Sequence, residues 1–210
     1  MRNRIFGLLF VLFLMFSCTE KKLPVYGDKF AKVTMVDGKE VIDSIYPTIP
    51  DFEFTNQEGM KVNQETTKNK IYVADFFFVT CPTICPRMKK NLLDVYAKYK
   101  SNPDFLILSH TIDPEHDSIA VLKDYAERLG ADAKQWHFLN GDREKTYELA
   151  EHGYYSTAMA DSTEPGGYVH SGGLILVDKQ KRIRGIYDGT NANETKVLIQ
   201  DIEILMNEKE

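Results

Sequence analysis

The chain has 210 residues, 43% of them hydrophobic, with 26 basic and 31 acidic side chains and a net charge of −5 at pH 7. Those figures suit one globular domain with a sizeable core. No internal repeat is visible, and the mildly acidic balance argues against nucleic acid as a partner.

Arg2 and Arg4 precede an unbroken apolar run over residues 5–16, which ends at Ser17-Cys18 and polar Thr19-Glu20-Lys21-Lys22. The run has the length of a signal-peptide core and is short for a membrane span. Leu14-Met15-Phe16-Ser17-Cys18 resembles a bacterial lipobox, whose cysteine becomes the lipidated first residue. Ser17 fits that pattern, while Phe16 is bulky and Leu14 lies one place early. A plain secretory signal and an uncleaved anchor are the alternatives. On the lipobox reading, residues 1–17 are a signal peptide, Cys18 carries the lipid, and the domain faces the bacterial periplasm from a membrane anchor. Cleavage there removes Arg2 and Arg4 and no acid, so 24 bases face 31 acids and the net charge is −7. Cys81 and Cys85 are then the only thiols of an exported domain. Outside the cytoplasm such a pair is either oxidised or held by a metal or a reductant.

Residues 18–45 read as a tether with a short strand near residues 39–45, and residues 46–210 as the domain. Pro47 and Pro50 punctuate the junction. Asp51-Phe52-Glu53-Phe54 alternates polar and apolar, as a strand does. Residues 56–59 form a turn, and residues 63–70 a polar loop. Residues 71–79 are nearly all apolar or aromatic, the pattern of a strand buried on both faces. Asp75 interrupts that run, and the pattern offers no account of it.

Residues 85–99 predict a helix, with Met88, Leu92, Val95 and Tyr99 at helical spacing. Its lysines read as a solvated face. A second buried strand follows over residues 104–109. Asp117-Ser118 can cap a helix that runs to Leu129, where Gly130 stops it. Residues 136–139 are a third strand and residues 142–152 a helix. Two strands follow at 173–177 and 182–187, then a closing amphipathic helix over 195–206. The order βαβαβαββα implies an α/β domain whose sheet has parallel strands and helices on both faces.

Cys81 and Cys85 fall at the C-terminal end of the first central strand, where open α/β sheets place their sites. Residues four apart on a helix can point the same way. A helix N-terminus favours thiolate, the form that binds metal and attacks disulfides. A plain stabilising disulfide is a poor alternative, because closing so small a loop removes little chain entropy. Far downstream, His170 is flanked by Gly166, Gly167, Gly172 and Gly173, which suits a mobile loop entering a strand. Two soft thiolates and an imidazole suit a copper ion, Cu(I) best. His110, at a strand end, is the reserve ligand. His116, His137 and His152 have surface or packing contexts. Asp113 reads as a turn residue before a helix, with a hydrogen-bonding role toward the site as the alternative.

Four blocks in order resemble the Sco/SenC family of thioredoxin-like copper chaperones for cytochrome c oxidase. They are Cys81-Pro82-Thr83-Ile84-Cys85-Pro86, Asp113-Pro114-Glu115-His116-Asp117-Ser118, Trp136-His137-Phe138-Leu139-Asn140-Gly141, and Val169-His170-Ser171 leading into Leu174-Ile175-Leu176-Val177-Asp178. The resemblance covers residues 46–206. It implies a single thioredoxin-like domain, a central mixed β-sheet flanked by helices. It also implies Cys81, Cys85 and His170 as copper ligands, and the CuA centre of cytochrome c oxidase subunit II as recipient. There are two departures, the first of which bears on Cu(II) more than on Cu(I). Thr83 stands where many members carry an acid, and Val169 precedes His170 where many carry aspartate.

Two functions fit. A metallochaperone carries copper on all three residues and is not an enzyme in the usual sense. A thiol–disulfide oxidoreductase uses Cys81 and Cys85 alone to reduce cysteines of an exported partner, though thioredoxins space theirs one residue closer. A peroxiredoxin-like peroxidase is a distant third. The copper donor and the thiol reductant are not legible in the sequence.

Overall fold

The computed structural model describes residues 22–208; the expected signal peptide and Cys18 lie outside that range. The first element is a hairpin, β1 (Phe30–Val36) antiparallel to β2 (Lys39–Ile45). Asp37 and Gly38 turn it with φ of 50° and 76°, the left-handed pair that a two-residue hairpin turn takes. The sequence predicts only the second strand. The first carries Val33 and Met35 exposed instead of facing a core, so it has no readable alternation.

β3 (Glu53–Asn56) and β4 (Lys61–Asn63) form a second hairpin. The expected polar loop after it contains a one-turn helix, α1 (Gln64–Thr67). Asn63 caps it: its side chain accepts from the Glu65 N–H, and the Thr66 hydroxyl accepts from the Asn63 N–H. Then come β5 (Ile71–Phe77), α2 (Cys85–Tyr99), β6 (Phe105–Thr111) and α3 (Ile119–Leu129). Ser118 caps α3, and Gly130 ends it in the left-handed region. β7 (Trp136–Asn140) leads to α4 (Arg143–Glu148), which loosens into a π turn over Leu149–Gly153. The expected helix over 142–152 therefore has its extent but not its uniform type. A short hairpin of β8 (Ala158–Ala160) and β9 (Tyr168–His170) follows, absent from the sequence reading. β10 (Gly173–Val177), β11 (Ile183–Asp188) and α5 (Ala192–Asn207) are the last elements of the described residues.

Among the described residues, seven strands join in the order β11-β10-β5-β6-β7-β3-β4. β5, β6 and β7 are parallel at the centre, and the flanking strands run antiparallel. Every residue of β5 and β6 is buried, as strands covered on both faces must be. On one face Phe77 stacks on Tyr125 of α3 and lies under Lys89 of α2. On the other, Tyr72 and Phe76 meet Tyr154, just beyond the π turn.

This is the thioredoxin-like architecture, a mixed sheet between helices, that the four sequence blocks imply. The parallel strands β5 and β6 end at the same edge, so the dithiol loop and the loop over residues 111–117 come out side by side. Among the described residues no helix is long and apolar enough to cross a membrane.

Candidate metal centre

β5 delivers the chain into the loop that carries Cys81, and α2 begins at Cys85. Pro86 sits in the first turn of α2, where no N–H donor is required. Ile84 occupies the N-cap and supplies no side-chain cap. The first turn therefore has N–H groups to spare. Cys81 lies just before that turn, where the backbone N–H groups of Thr83 and Cys85 favour its thiolate form. The Thr83 hydroxyl lies 3.6 Å from the same sulfur.

His170 ends β9, and its ring reaches into the dithiol. Nε2 is 3.1 Å from Cys85 Sγ and 3.6 Å from Cys81 Sγ. Nδ1 faces the Ser171 carbonyl at 3.2 Å and donates to it. That bond turns Nε2 toward the two sulfurs, where either a proton or a soft cation can sit. The ligating atoms of Cys81, Cys85 and His170 all lie within 4.8 Å of one another. Both cysteines are free thiols, and all three residues are nearly shut off from solvent. The expected trio is thus brought together, with His170 on a hairpin strand instead of the mobile loop that the flanking glycines suggest.

The two thiols differ sharply. Burial pushes Cys81 upward, but the His170 contact and the N–H groups of Thr83 and Cys85 outweigh it and bring the thiol down to about 6. Burial holds Cys85 well above the ordinary thiol range, against the opposing Phe78 backbone and Lys89 charge. Cys81 is the thiolate of the pair near neutral pH, and Cys85 keeps its proton until something displaces it.

Beneath the site lies a buried ion pair that the sequence does not reveal. Lys89, one turn after Cys85, donates to Asp75 Oδ2 at 2.5 Å and to Ser109 Oγ at 3.0 Å. The Ser109 hydroxyl donates to Asp75 Oδ1, and Trp136 Nε1 donates to Ser109 at 2.9 Å. Lys89 Nζ also stands 4.2 Å above the Phe77 ring. The expected solvated lysine face is thus wrong for Lys89, which is only 3% exposed. Asp75 interrupts the apolar strand because an ammonium from α2 reaches it.

The remaining candidates fall elsewhere. His110, the reserve ligand, is no part of the cluster. It is fully buried among Phe52, Phe54, Phe76 and Tyr154, and burial lowers it to about 3. His137 takes the Asn56 amide, a packing role as expected. Asp113 is more than a turn residue. It is buried, accepts from the Tyr168 hydroxyl at 2.7 Å, and pairs with His116 Nδ1 at 2.9 Å. Four residues on, Asp117 accepts the Val79 N–H at 3.1 Å. Tyr168 and Val79 each stand two residues from a member of the trio, a relation the linear sequence does not display.

The comparisons agree with this geometry. The SCO1/SenC family model matches residues 43–207. A SCO1 protein homolog from Bacillus subtilis (strain 168) is 28% identical over 167 residues, covering 79% of this chain and 86% of that protein. The crystal structure of a SCO1/SenC family lipoprotein from Bacillus anthracis str. Ames superposes with a TM-score of 0.69 at 26% identity, covering 76% of this chain and 95% of that one. BsSco is a member of the Sco family of cytochrome c oxidase assembly proteins in which a disulfide switch is identified. Its structure gives a TM-score of 0.68 at 29% identity, over 77% of this chain and 95% of its own. With its matched span, its fold and its Cys-Cys-His cluster, this chain belongs to the SCO1/SenC family.

Proposed function

We propose that the protein is a copper metallochaperone which holds one ion on Cys81, Cys85 and His170 and passes it to the CuA centre of cytochrome c oxidase subunit II. The observation that carries this reading is the convergence of two sulfurs and one imidazole nitrogen within 4.8 Å. Soft sulfur donors select Cu(I). A structural zinc takes four ligands, and the cluster offers three. Three donors also leave one side of the ion open, so a recipient ligand can enter before a donor ligand leaves. Kinship with BsSco, a member of a family of cytochrome c oxidase assembly proteins, supports that oxidase as the recipient. Copper displaces the Cys85 proton on binding, so uptake is linked to proton release. Cu(II) is the second state of the same cargo. Transfer is tested by mixing the copper-loaded domain with a reduced, metal-free subunit II fragment and following the visible absorption of the CuA centre. Failure of that absorption to develop contradicts the reading.

Membrane attachment completes it. Arg184 donates to the Leu23 and Pro24 carbonyls and pairs with Asp178 and Glu208. Val177 pairs with Tyr72, which puts Asp178 at the start of β5, the end of the sheet opposite Cys81. Cys18 precedes Leu23 by five residues, a reach of about 17 Å at most for extended chain. A lipid on Cys18 therefore keeps the base of the domain close to the periplasmic face of the membrane and turns the copper site away from it.

The split between the two thiols favours a second reading, a thiol–disulfide oxidoreductase. The Cys81 thiolate attacks a partner disulfide and releases one partner thiolate. Cys85, once deprotonated, attacks the mixed disulfide, releases the second partner thiolate and closes the Cys81–Cys85 bond. The two roles share the reduced dithiol, and His170 separates them.

A further inference from the structure

Two segments must meet for the trio to form: the loop after β5, which carries the cysteines, and the β8–β9 hairpin, which carries His170. Neither is fixed by its own secondary structure. The hairpin pairs only with itself and stands apart from the seven-stranded sheet. The loop over residues 111–117 touches both segments. Asp117 takes the N–H of Val79, two residues before Cys81. Asp113 takes the hydroxyl of Tyr168, two residues before His170. That loop is itself held firmly. The Thr111 hydroxyl donates to Asp117, and the Asn140 amide donates to the carbonyls of Pro114 and Asp117, at 2.9 Å each.

We propose that the loop over residues 111–117 is a two-armed clamp that sets the separation of His170 from the dithiol, with Tyr168 and Asp113 as positioning residues. The assignment rests on the copper reading above. Among the described residues, the Tyr168–Asp113 bond is the one hydrogen bond from the body of the domain to residues 158–169 of the hairpin. Everything else that seats them is packing. The Tyr168 ring lies 5.2 Å from that of Phe78. Gly166, at φ +89°, comes so close that a Cβ there would lie 2.9 Å from the Phe78 ring and 3.1 Å from Pro82 Cδ. Packing of this kind sets a rough position, whereas a hydrogen bond to a buried carboxylate fixes one point. Fixing Tyr168 fixes His170, because both belong to the same three-residue strand and project to the same side of it. Without the bond the hairpin still covers the site, but His170 is held only from its C-terminal side, where Ser171 meets Ser156 and the Gly189 N–H bonds the Gly172 carbonyl, and the imidazole loses its second anchor over the sulfurs.

The test is Tyr168→Phe, which removes one oxygen and keeps the ring on Phe78. The full chain, purified in detergent and metal-free, is compared with wild type by hydrogen exchange. Amides of residues 158–170 should exchange faster in the variant while β5 and β6 are unchanged. Equal exchange in the hairpin overturns the clamp. The same pair is then titrated with Cu(I) against a chelator and examined by X-ray absorption. The variant should bind about 10-fold more weakly, the low end of what losing a ligand's own hydrogen-bond partner costs, because Tyr168 reaches His170 only through the strand. It should also lose the nitrogen scatterer while keeping two sulfurs. In a His170→Ala background Tyr168→Phe should cost nothing further, since it acts only through that histidine. A further loss there, or a three-coordinate variant of wild-type affinity, also overturns the clamp. Wild-type protein that binds copper without using His170 overturns the copper reading instead, and the exchange result alone then decides whether the hairpin is clamped.

Discussion

Lys89 and Asp75 form an ion pair with N···O of 2.5 Å at a depth where neither side chain meets solvent. The pair joins α2 to β5 directly under the helix turn that begins with Cys85. It is fully satisfied, since Ser109 bridges both charges and Trp136 completes the bonding of Ser109. Removing one member strands the other charge in the core, which costs about 3–5 kcal/mol. Lys89→Met should therefore lower the unfolding free energy by about that much in urea titration. Lys89→Met combined with Asp75→Leu should recover most of the loss. A single variant as stable as wild type would show that the pair does not hold α2 on the sheet.

Cys81 should be the reactive thiol. Its alkylation by iodoacetamide should rise with a midpoint near pH 6, while Cys85 stays protected, as mass spectrometry of the modified chain can show. In His170→Ala the midpoint should move upward, because the imidazole is the largest of the influences that lower Cys81. The sign for stability follows. A thiol whose folded value is depressed stabilises the reduced fold above the ordinary thiol range. That contribution is lost as the pH falls through about 6. A midpoint in the ordinary thiol range contradicts the site as described.

Arg184 should pin the start of the described chain to the base of the sheet. Arg184→Leu removes its bonds to Leu23 and Pro24 and its charge from between Asp178 and Glu208. Protease cleavage before Tyr26 should become faster, with the sheet unaffected. Unchanged cleavage would mean that burial of Leu23 and the Tyr26 N–H bond to the Ile183 carbonyl hold the segment without Arg184.

The central strands, α2 and α3 were legible because their apolar residues recur at the period of the element and their ends carry proline, serine or glycine in the right place. The trio was legible because an exported Cys-x-x-x-Cys at a strand end calls for a third donor, and because four motif blocks in order resemble the Sco/SenC family. β1 and the β8–β9 hairpin were not legible. Both expose much of their surface, so neither leaves the alternation that burial imposes. Lys89 read as solvated because its partner Asp75 is distant in sequence and sits on a strand that otherwise looks wholly apolar. Asp113 read as a turn residue for the same reason: its partner Tyr168 is brought near only by the fold. His110 was the reserve ligand from its place at a strand end, but it is buried against the rings of Phe52, Phe54, Phe76 and Tyr154.

The central claim is that His170 and the dithiol form one metal site. Titration of the reduced domain, from Lys22 onward, with Cu(I) against a competing chelator tests it most directly when run beside His170→Ala. The account predicts one ion per chain and a loss of affinity on the order of tenfold or more in the variant, with the dithiol still redox-active. Weak binding, or binding that is the same in both proteins, would contradict it and leave Cys81 and Cys85 as a redox pair alone.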